Sequence, residues 1–252
     1  MSSWRARIGK VSPSRGDNYI YEFYQIAPPD ILLTVIATTV KKLEPGNFSR
    51  AFQAYEEAAL TLAKEGAQTL IFGGGPVFVS QEPGSEEALC SRLKKATSLS
   101  VTTEFSSAAD ACRELGIKRL GIISPYREQL NEIIQTSFKE KGFQVPLIRG
   151  LGIERNIDIG NLPEDAAFNL TMAAFREGPE VDGFYITCPR WRTASSIAAL
   201  EKETGKPVVT SVQANIRSAF KDLGIEDRIS GYGALLSSPA TEKNSKKKRN
   251  QY

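Results

Sequence analysis

Cys188 follows a buried-strand pattern, Gly183-Phe184-Tyr185-Ile186-Thr187, and precedes Pro189 and a helical stretch that begins near Ser195. A thiol at a strand-to-helix junction meets backbone amides and a helix N-terminus. That placement favours partial exposure and a lowered pKa, and so a role as nucleophile or proton carrier. Gly73-Gly74-Gly75 ends a second buried run, Thr69 to Phe72. Three bare peptides in a row can converge their N–H groups on an anion. Pro76 follows them, so the loop is neither a Walker loop nor a GxGxxG turn. Tyr126 after Pro125 offers a phenol, Ser14 after Pro13 a hydroxyl, and Thr187 another hydroxyl beside the thiol. A proton carrier and an anion cradle suit the chemistry of a small carboxylate. Each feature also has a plain structural reading. A free cysteine is often core, and Gly-Gly-Gly-Pro is also simply a turn.

The 252 residues contain no His. Within one chain this removes the Ser-His-Asp triad, the Cys-His pair and any His-ligated metal. No metal and no cofactor are expected. Three cysteines without CxxC spacing do not form a disulfide framework or a structural zinc site. Cys90 and Cys112 fall on apolar faces of helical patterns and are expected to pack in the core. A cytoplasmic protein is the expectation: the N-terminus lacks an apolar segment of signal type, and no apolar run could span a bilayer. The net charge of +3 comes from residues 237–252, which carry five basic residues against Glu242, while the rest sums to −1. That segment reads as a disordered basic tail. With no basic stripe in the body, no nucleic-acid partner is expected. The expected partner is a small carboxylate substrate, to a monomer or small homo-oligomer.

Strand-like and helical stretches alternate along the chain. Strands are expected at Arg7 to Ser12, Ile31 to Ala37, Thr69 to Phe72 and Val101 to Thr103, with helices at Phe48 to Glu65, Glu86 to Ala96 and Ser106 to Leu115. The pattern then restarts with strands at Arg119 to Ser124, Val145 to Leu151, Gly183 to Thr187 and Pro207 to Thr210. Between and after them, helices are expected at Glu128 to Lys141, Pro163 to Glu177, Ser195 to Thr204 and Ala214 to Leu223. Arg7-Ile8-Gly9 through Pro13-Ser14 echoes Arg119-Leu120-Gly121 through Pro125-Tyr126 at an offset of 112. Leu70 to Pro76 echoes Phe184 to Pro189 more loosely. The alternation implies an α/β fold, and the echo implies two similar Rossmann-like halves, each with a parallel four-stranded sheet, related by a pseudo-twofold. The halves are expected at 1–113 plus 212–236 and at 114–211. Ligands of open parallel sheets sit beyond the carboxyl ends of the strands, and all four echoed segments end strands. They should meet in one cleft between the halves.

The order of these segments resembles the maleate isomerases and arylmalonate decarboxylases of the aspartate/glutamate racemase superfamily. The resemblance rests on Arg7-Ile8-Gly9 to Pro13-Ser14, Glu22-Phe23-Tyr24 to Ala27-Pro28, Ser124-Pro125-Tyr126 with Asn131-Glu132, and Cys188. Gly205-Lys206-Pro207-Val208-Val209-Thr210-Ser211 and Gly231-Tyr232-Gly233 complete it. It runs from about residue 5 to residue 236 and implies a cofactor-free enzyme with its site between the halves. Superfamily racemases and maleate isomerases use two cysteines, one from each half. The first is replaced here within Gly73-Gly74-Gly75, with Gly73 the expected position. Arylmalonate decarboxylases also carry glycine there and keep the second cysteine. The resemblance therefore implies a decarboxylase of a malonate-type or other small α-carboxylated acid. Gly73, Gly74, Gly75, Tyr126, Ser14, Pro13 and Thr187 would hold the acid and its enediolate, and Cys188 would return a proton. Those decarboxylases place hydroxyl residues after the first glycine, whereas this chain has Gly74 and Gly75. A dicarboxylate isomerase or racemase, and a non-catalytic carboxylate binder, remain as alternatives.

Overall fold

Each strand is followed by at least one helix, so consecutive strands return in parallel. The computed structural model describes residues 4–239 apart from 15, 16, 39, 41, 42, 44 and 179. The first half contains β1 (Ala6–Ser12), α1 (Asp17–Ile26), β2 (Ile31–Ala37), α2 (Pro45–Lys64), β3 (Thr69–Phe72), α3 (Gly75–Val79), α4 (Ser85–Thr97), β4 (Ser100–Thr103) and α5 (Glu104–Glu114). The second runs β5 (Arg119–Tyr126), α6 (Glu128–Glu140), β6 (Gln144–Ile153), α7 (Asn156–Gly160), α8 (Ala166–Arg176), β7 (Gly183–Ile186), α9 (Ile197–Thr204) and β8 (Val208–Thr210), after which comes α10 (Ser211–Leu223). A short α11 (Gly233–Ser237) closes the described chain.

The two sheets repeat one topology. Their strand orders are β2-β1-β3-β4 and β6-β5-β7-β8, and every neighbouring pair is parallel. The central strands are buried along nearly their whole length, as expected for sheets covered on both faces. The expected α/β fold of two similar halves is the fold found. The basic tail from residue 240 onward lies outside the described residues. No helix among the described residues is long and apolar enough to cross a membrane.

Four short or aromatic helices had no counterpart in the expected pattern. The most consequential is α1, which buries Tyr19, Phe23 and Ile26 at helical spacing while exposing Tyr21 and Tyr24. Aromatic residues on both faces blur the apolar stripe from which a helix is read. The others, α3, α7 and α11, have five residues each, too few for a period.

The halves join along α5 and α10, which begin at equivalent places. Thr103 caps α5 by accepting from the Ser106 amide, and Thr210 caps α10 in a reciprocal box with Gln213. The Ser107 hydroxyl donates to Asn215 Oδ1 at 2.8 Å across the seam. Phe105 of α5 packs on Phe138 and Tyr185 of the second half, with ring centroids 5.4 and 6.4 Å apart. One apolar core therefore runs through both halves, and a second fills the space between α2, α3, α4 and the outer face of the first sheet. α10 also packs against β3 and α1, whereas α11 packs against α9 and β8.

Candidate active site

The carboxyl ends of β1, β3, β5 and β7 converge on one cleft, lined by Pro13, Ser14, Gly74, Tyr126 and Cys188 among others. Five of the residues expected at a site thus meet there. Cys188 is 4% exposed, with its side chain at the cleft wall. Its sulfur is hydrogen-bonded to the Tyr126 hydroxyl and faces the amides of Arg190 and Trp191.

The expectation of a partly exposed, acidic thiol is corrected. Burial pushes the Cys188 pKa up to about 11, against the opposing pull of Tyr126 and the two amides, and the nearby Glu104 raises it further. The group is therefore a thiol near neutral pH, a form suited to giving a proton. The backbone at Cys188 is strained: φ is +82°, and among the described non-glycine residues only Ser98 shares a positive φ. An L-residue in this region costs roughly 1–2 kcal/mol, a cost that marks functional positions more often than packing ones.

The repeat identifies the counterpart of Cys188. The Gly73 amide donates to the Val11 carbonyl at 2.8 Å, and the Thr187 amide donates to the Ile123 carbonyl at 2.9 Å. Val11 and Ile123 are themselves equivalent in the echo, so Gly73 corresponds to Thr187 and Gly74 to Cys188. Their φ angles agree, +77° and +82°. The position that faces the thiol across the pseudo-twofold is Gly74, one residue beyond the expected Gly73.

Gly73, Gly75 and Thr187 do not line the cleft. The Gly73 carbonyl accepts from the Tyr55 hydroxyl at 3.0 Å, tying the loop to α2. Gly75 begins α3 against the Phe105 ring, and Thr187 is fully buried below the floor. Nor are the loop amides open. The Gly74 N–H donates to Glu104 Oε2 at 2.8 Å, and the Gly75 N–H also bonds this carboxyl. The cradle predicted for an outside anion holds an acid of the chain itself.

Glu104 was not expected at the site, and neither was its neighbour Lys10. Both are fully buried, and Glu104 lines the cleft. Glu104 Oε1 accepts from Ser211 Oγ at 3.0 Å, across the seam between the halves. Burial raises the Glu104 pKa against the opposing effect of Lys10 and of its amide and hydroxyl donors. Burial pushes Lys10 down to about 8, opposed by Glu104. The Lys10 ammonium sits 3.8 Å from the centre of the Tyr19 ring, a cation–π contact. Asn156 and Arg190 also line the cleft, and Arg190 reaches Asp17 at 3.5 Å. Of the two arginines after Cys188, Arg192 is the more exposed and reaches Glu164 at 3.5 Å. Val40, Leu43, Phe48 and Val77 give the cleft its apolar lining.

Helix α1 fixes the thiol loop from the first half. Asn18 Nδ2 donates to the carbonyls of Arg190 at 2.8 Å and Gly160 at 3.1 Å. One turn on, Glu22 accepts from the amides of Thr193 and Ala194. Burial raises the Glu22 pKa to about 7 despite these donors. The other cysteines are not among the cleft-lining residues. Cys112 is fully buried, while Cys90 is only half-buried rather than in the core.

A family model described as arylmalonate decarboxylase matches residues 13–236. The chain belongs to the arylmalonate decarboxylase family. It is 24% identical over 209 residues to the arylmalonate decarboxylase of Bordetella bronchiseptica, covering 82% of this chain and 87% of that one. It is 31% identical over 160 residues to a maleate isomerase of Pseudomonas putida, covering 58% and 60%. Among solved structures, a substituted arylmalonate decarboxylase in its liganded form superposes with a TM-score of 0.85 at 22% identity, over 92% of this chain and 98% of that one. A maleate isomerase from Pseudomonas putida S16 with maleate gives 0.84 at 20% identity, over the same shares. These structural likenesses establish a common fold. The relatives are enzymes of two kinds, decarboxylase and isomerase.

Proposed function

We propose that this family member is a cofactor-free carboxy-lyase acting on a malonate-type or similar small α-carboxylated acid. The observation that carries the reading is the pairing of Cys188 with Gly74. One half supplies a proton-bearing thiol, and the equivalent position in the other half has no side chain. An enzyme that adds a thiol to a double bond, or exchanges protons between two faces, lacks its first-half cysteine here.

The substrate's retained carboxylate is assigned to the polar side of the cleft, near Ser14, Tyr126, Asn156 and Arg190. The departing carboxylate lies against Val40, Leu43, Phe48 and Val77. An apolar wall leaves that charge poorly solvated until it departs as neutral CO₂. The Cα–CO₂ bond breaks, its electron pair passes into an enediolate, and hydrogen-bond donors stabilise the new oxyanion. The Cys188 S–H proton then goes to Cα. The resulting thiolate is held by the Arg190 and Trp191 amides and by Tyr126 until solvent returns a proton.

The first experiment incubates the protein with a panel of substituted malonates and measures CO₂ release. Turnover of at least one aryl- or alkyl-malonate is expected, with no added metal or cofactor. No CO₂ from any member of the panel, with conversion of maleate to fumarate instead, would replace this reading with the isomerase. The identity to the Pseudomonas putida maleate isomerase makes that comparison necessary.

A further inference from the structure

We propose that Glu104 is itself a catalytic residue of the cleft, donating a hydrogen bond from its carboxyl proton to the substrate's carboxylate and to the enediolate formed from it. The inference rests on the carboxylate-binding reading above and assigns a residue that reading does not require. The Gly74 and Gly75 amides cannot serve an outside anion, because both are bonded to Glu104. Whatever the cleft offers at that point is offered by the carboxyl group, which lines it. An ionised carboxylate there would repel the substrate, whereas a protonated one is a donor.

Burial favours the protonated form, against the pull of Lys10, the Gly74 and Gly75 amides and the Ser211 hydroxyl. Glu104 is fully buried. Lys10, the cation beside it, makes no hydrogen bond to it; its Nζ has no hydrogen-bond partner among the described residues and lies over the Tyr19 ring. An ionised carboxylate next to a buried ammonium would be expected to draw it into an ion pair. A neutral acid beside an ammonium instead leaves the cleft floor with a net positive charge, which favours a developing oxyanion. Buried carboxyls kept neutral to act as donors are a known device of enolate chemistry. In the reaction the Glu104 proton stays shared with the substrate oxygen, so no further acid or base is consumed.

The test compares Glu104→Gln, Glu104→Leu and the natural protein in two assays: turnover of 2-methyl-2-phenylmalonate, and calorimetric binding of benzylphosphonate. Glutamine keeps the shape and a donor. Its kcat should fall by less than that of the leucine variant, and its affinity for benzylphosphonate should not rise. Leucine removes the donor and should lower kcat by about 100- to 1,000-fold, with a much smaller change in KM. Other titratable groups face Glu104: Lys10 from β1, Tyr19 from α1, Tyr55 from α2, Tyr126 from β5, Tyr185 from β7, and Cys188. A protonated Glu104 does not repel benzylphosphonate, so Glu104→Gln should bind it no more tightly than the natural protein near neutral pH. This decides the matter should the leucine variant not fold. Tenfold tighter binding in Glu104→Gln would show an ionised plug and overturn the proposal, as would unchanged kcat in Glu104→Leu. If the natural protein releases no CO₂, the lyase reading fails alone, and the benzylphosphonate comparison still decides the role of Glu104.

Discussion

Replacing Cys188 by Ser should lower turnover of any accepted malonate by about 100- to 10,000-fold, the range over which a positioned proton donor contributes. A serine hydroxyl occupies nearly the same space but gives up its proton far less readily than a thiol held at about 11. Cys112→Ser, at a cysteine that is not among the cleft-lining residues, should leave kcat unchanged once loss of packing is allowed for. The backbone supplies a sharper control. Cys188 holds a φ of +82°, and its counterpart Gly74 holds +77° without a side chain. Cys188→Gly should therefore relieve backbone strain of roughly 1–2 kcal/mol, offsetting the lost packing of the sulfur. The variant should melt near or above the natural protein and yet be inactive. A Cys188→Gly protein that is both active and unaltered in melting would remove the thiol from the mechanism.

Gly75→Ala should be the most destabilising single-methyl change in the loop. A Cβ at this position would fall 2.2 Å from the Phe105 ring. Phe105 cannot move aside, because it is wedged against Phe138 and Tyr185 at the junction of the halves. Overpacking of a filled core usually costs 1–3 kcal/mol. A contact this short between backbone and a locked ring should reach about 3 kcal/mol or more, read as a lowered urea midpoint. Gly46→Ala, in the first turn of α2 with open space around it, should instead be neutral or stabilising by up to about 1 kcal/mol. Equal midpoints for the two variants would mean that the loop yields more easily than this packing allows.

Much of this arrangement is legible in the residues. The alternation of apolar runs with helical stretches gives both sheets, and the echo of Arg7 to Ser14 in Arg119 to Tyr126 gives their relation. The counterpart of Cys188 is Gly74, one residue from the expected Gly73 and within the same glycine run. Three adjacent glycines carry no side-chain pattern to fix the register, which only the β1–β3 and β5–β7 pairing supplies. Thr187 illustrates a different loss. It neighbours Cys188 in sequence, but it is fully buried and is not among the cleft-lining residues.

Glu104 was hidden by its resemblance to something ordinary. An acid directly after a capping threonine reads as a favourable charge in the first turn of an exposed helix. Only the tertiary fold turns that turn inward, beneath the glycine loop. Lys10 did carry a signal, a charged residue inside a central strand where its echo is Ile122. Such a lysine is rarely buried without a reason, and the groups beside it, Tyr19 and Glu104, lie on other elements.

The central claim is that one thiol delivers the proton from one face of the enediolate. The direct measurement is the enantiomeric composition of the acid formed from 2-methyl-2-phenylmalonate in deuterium oxide. A single enantiomer carrying one deuterium at Cα is predicted, with its formation lost in Cys188→Ser. Racemic product, or the same enantiomer formed at the same rate without the thiol, would contradict the claim.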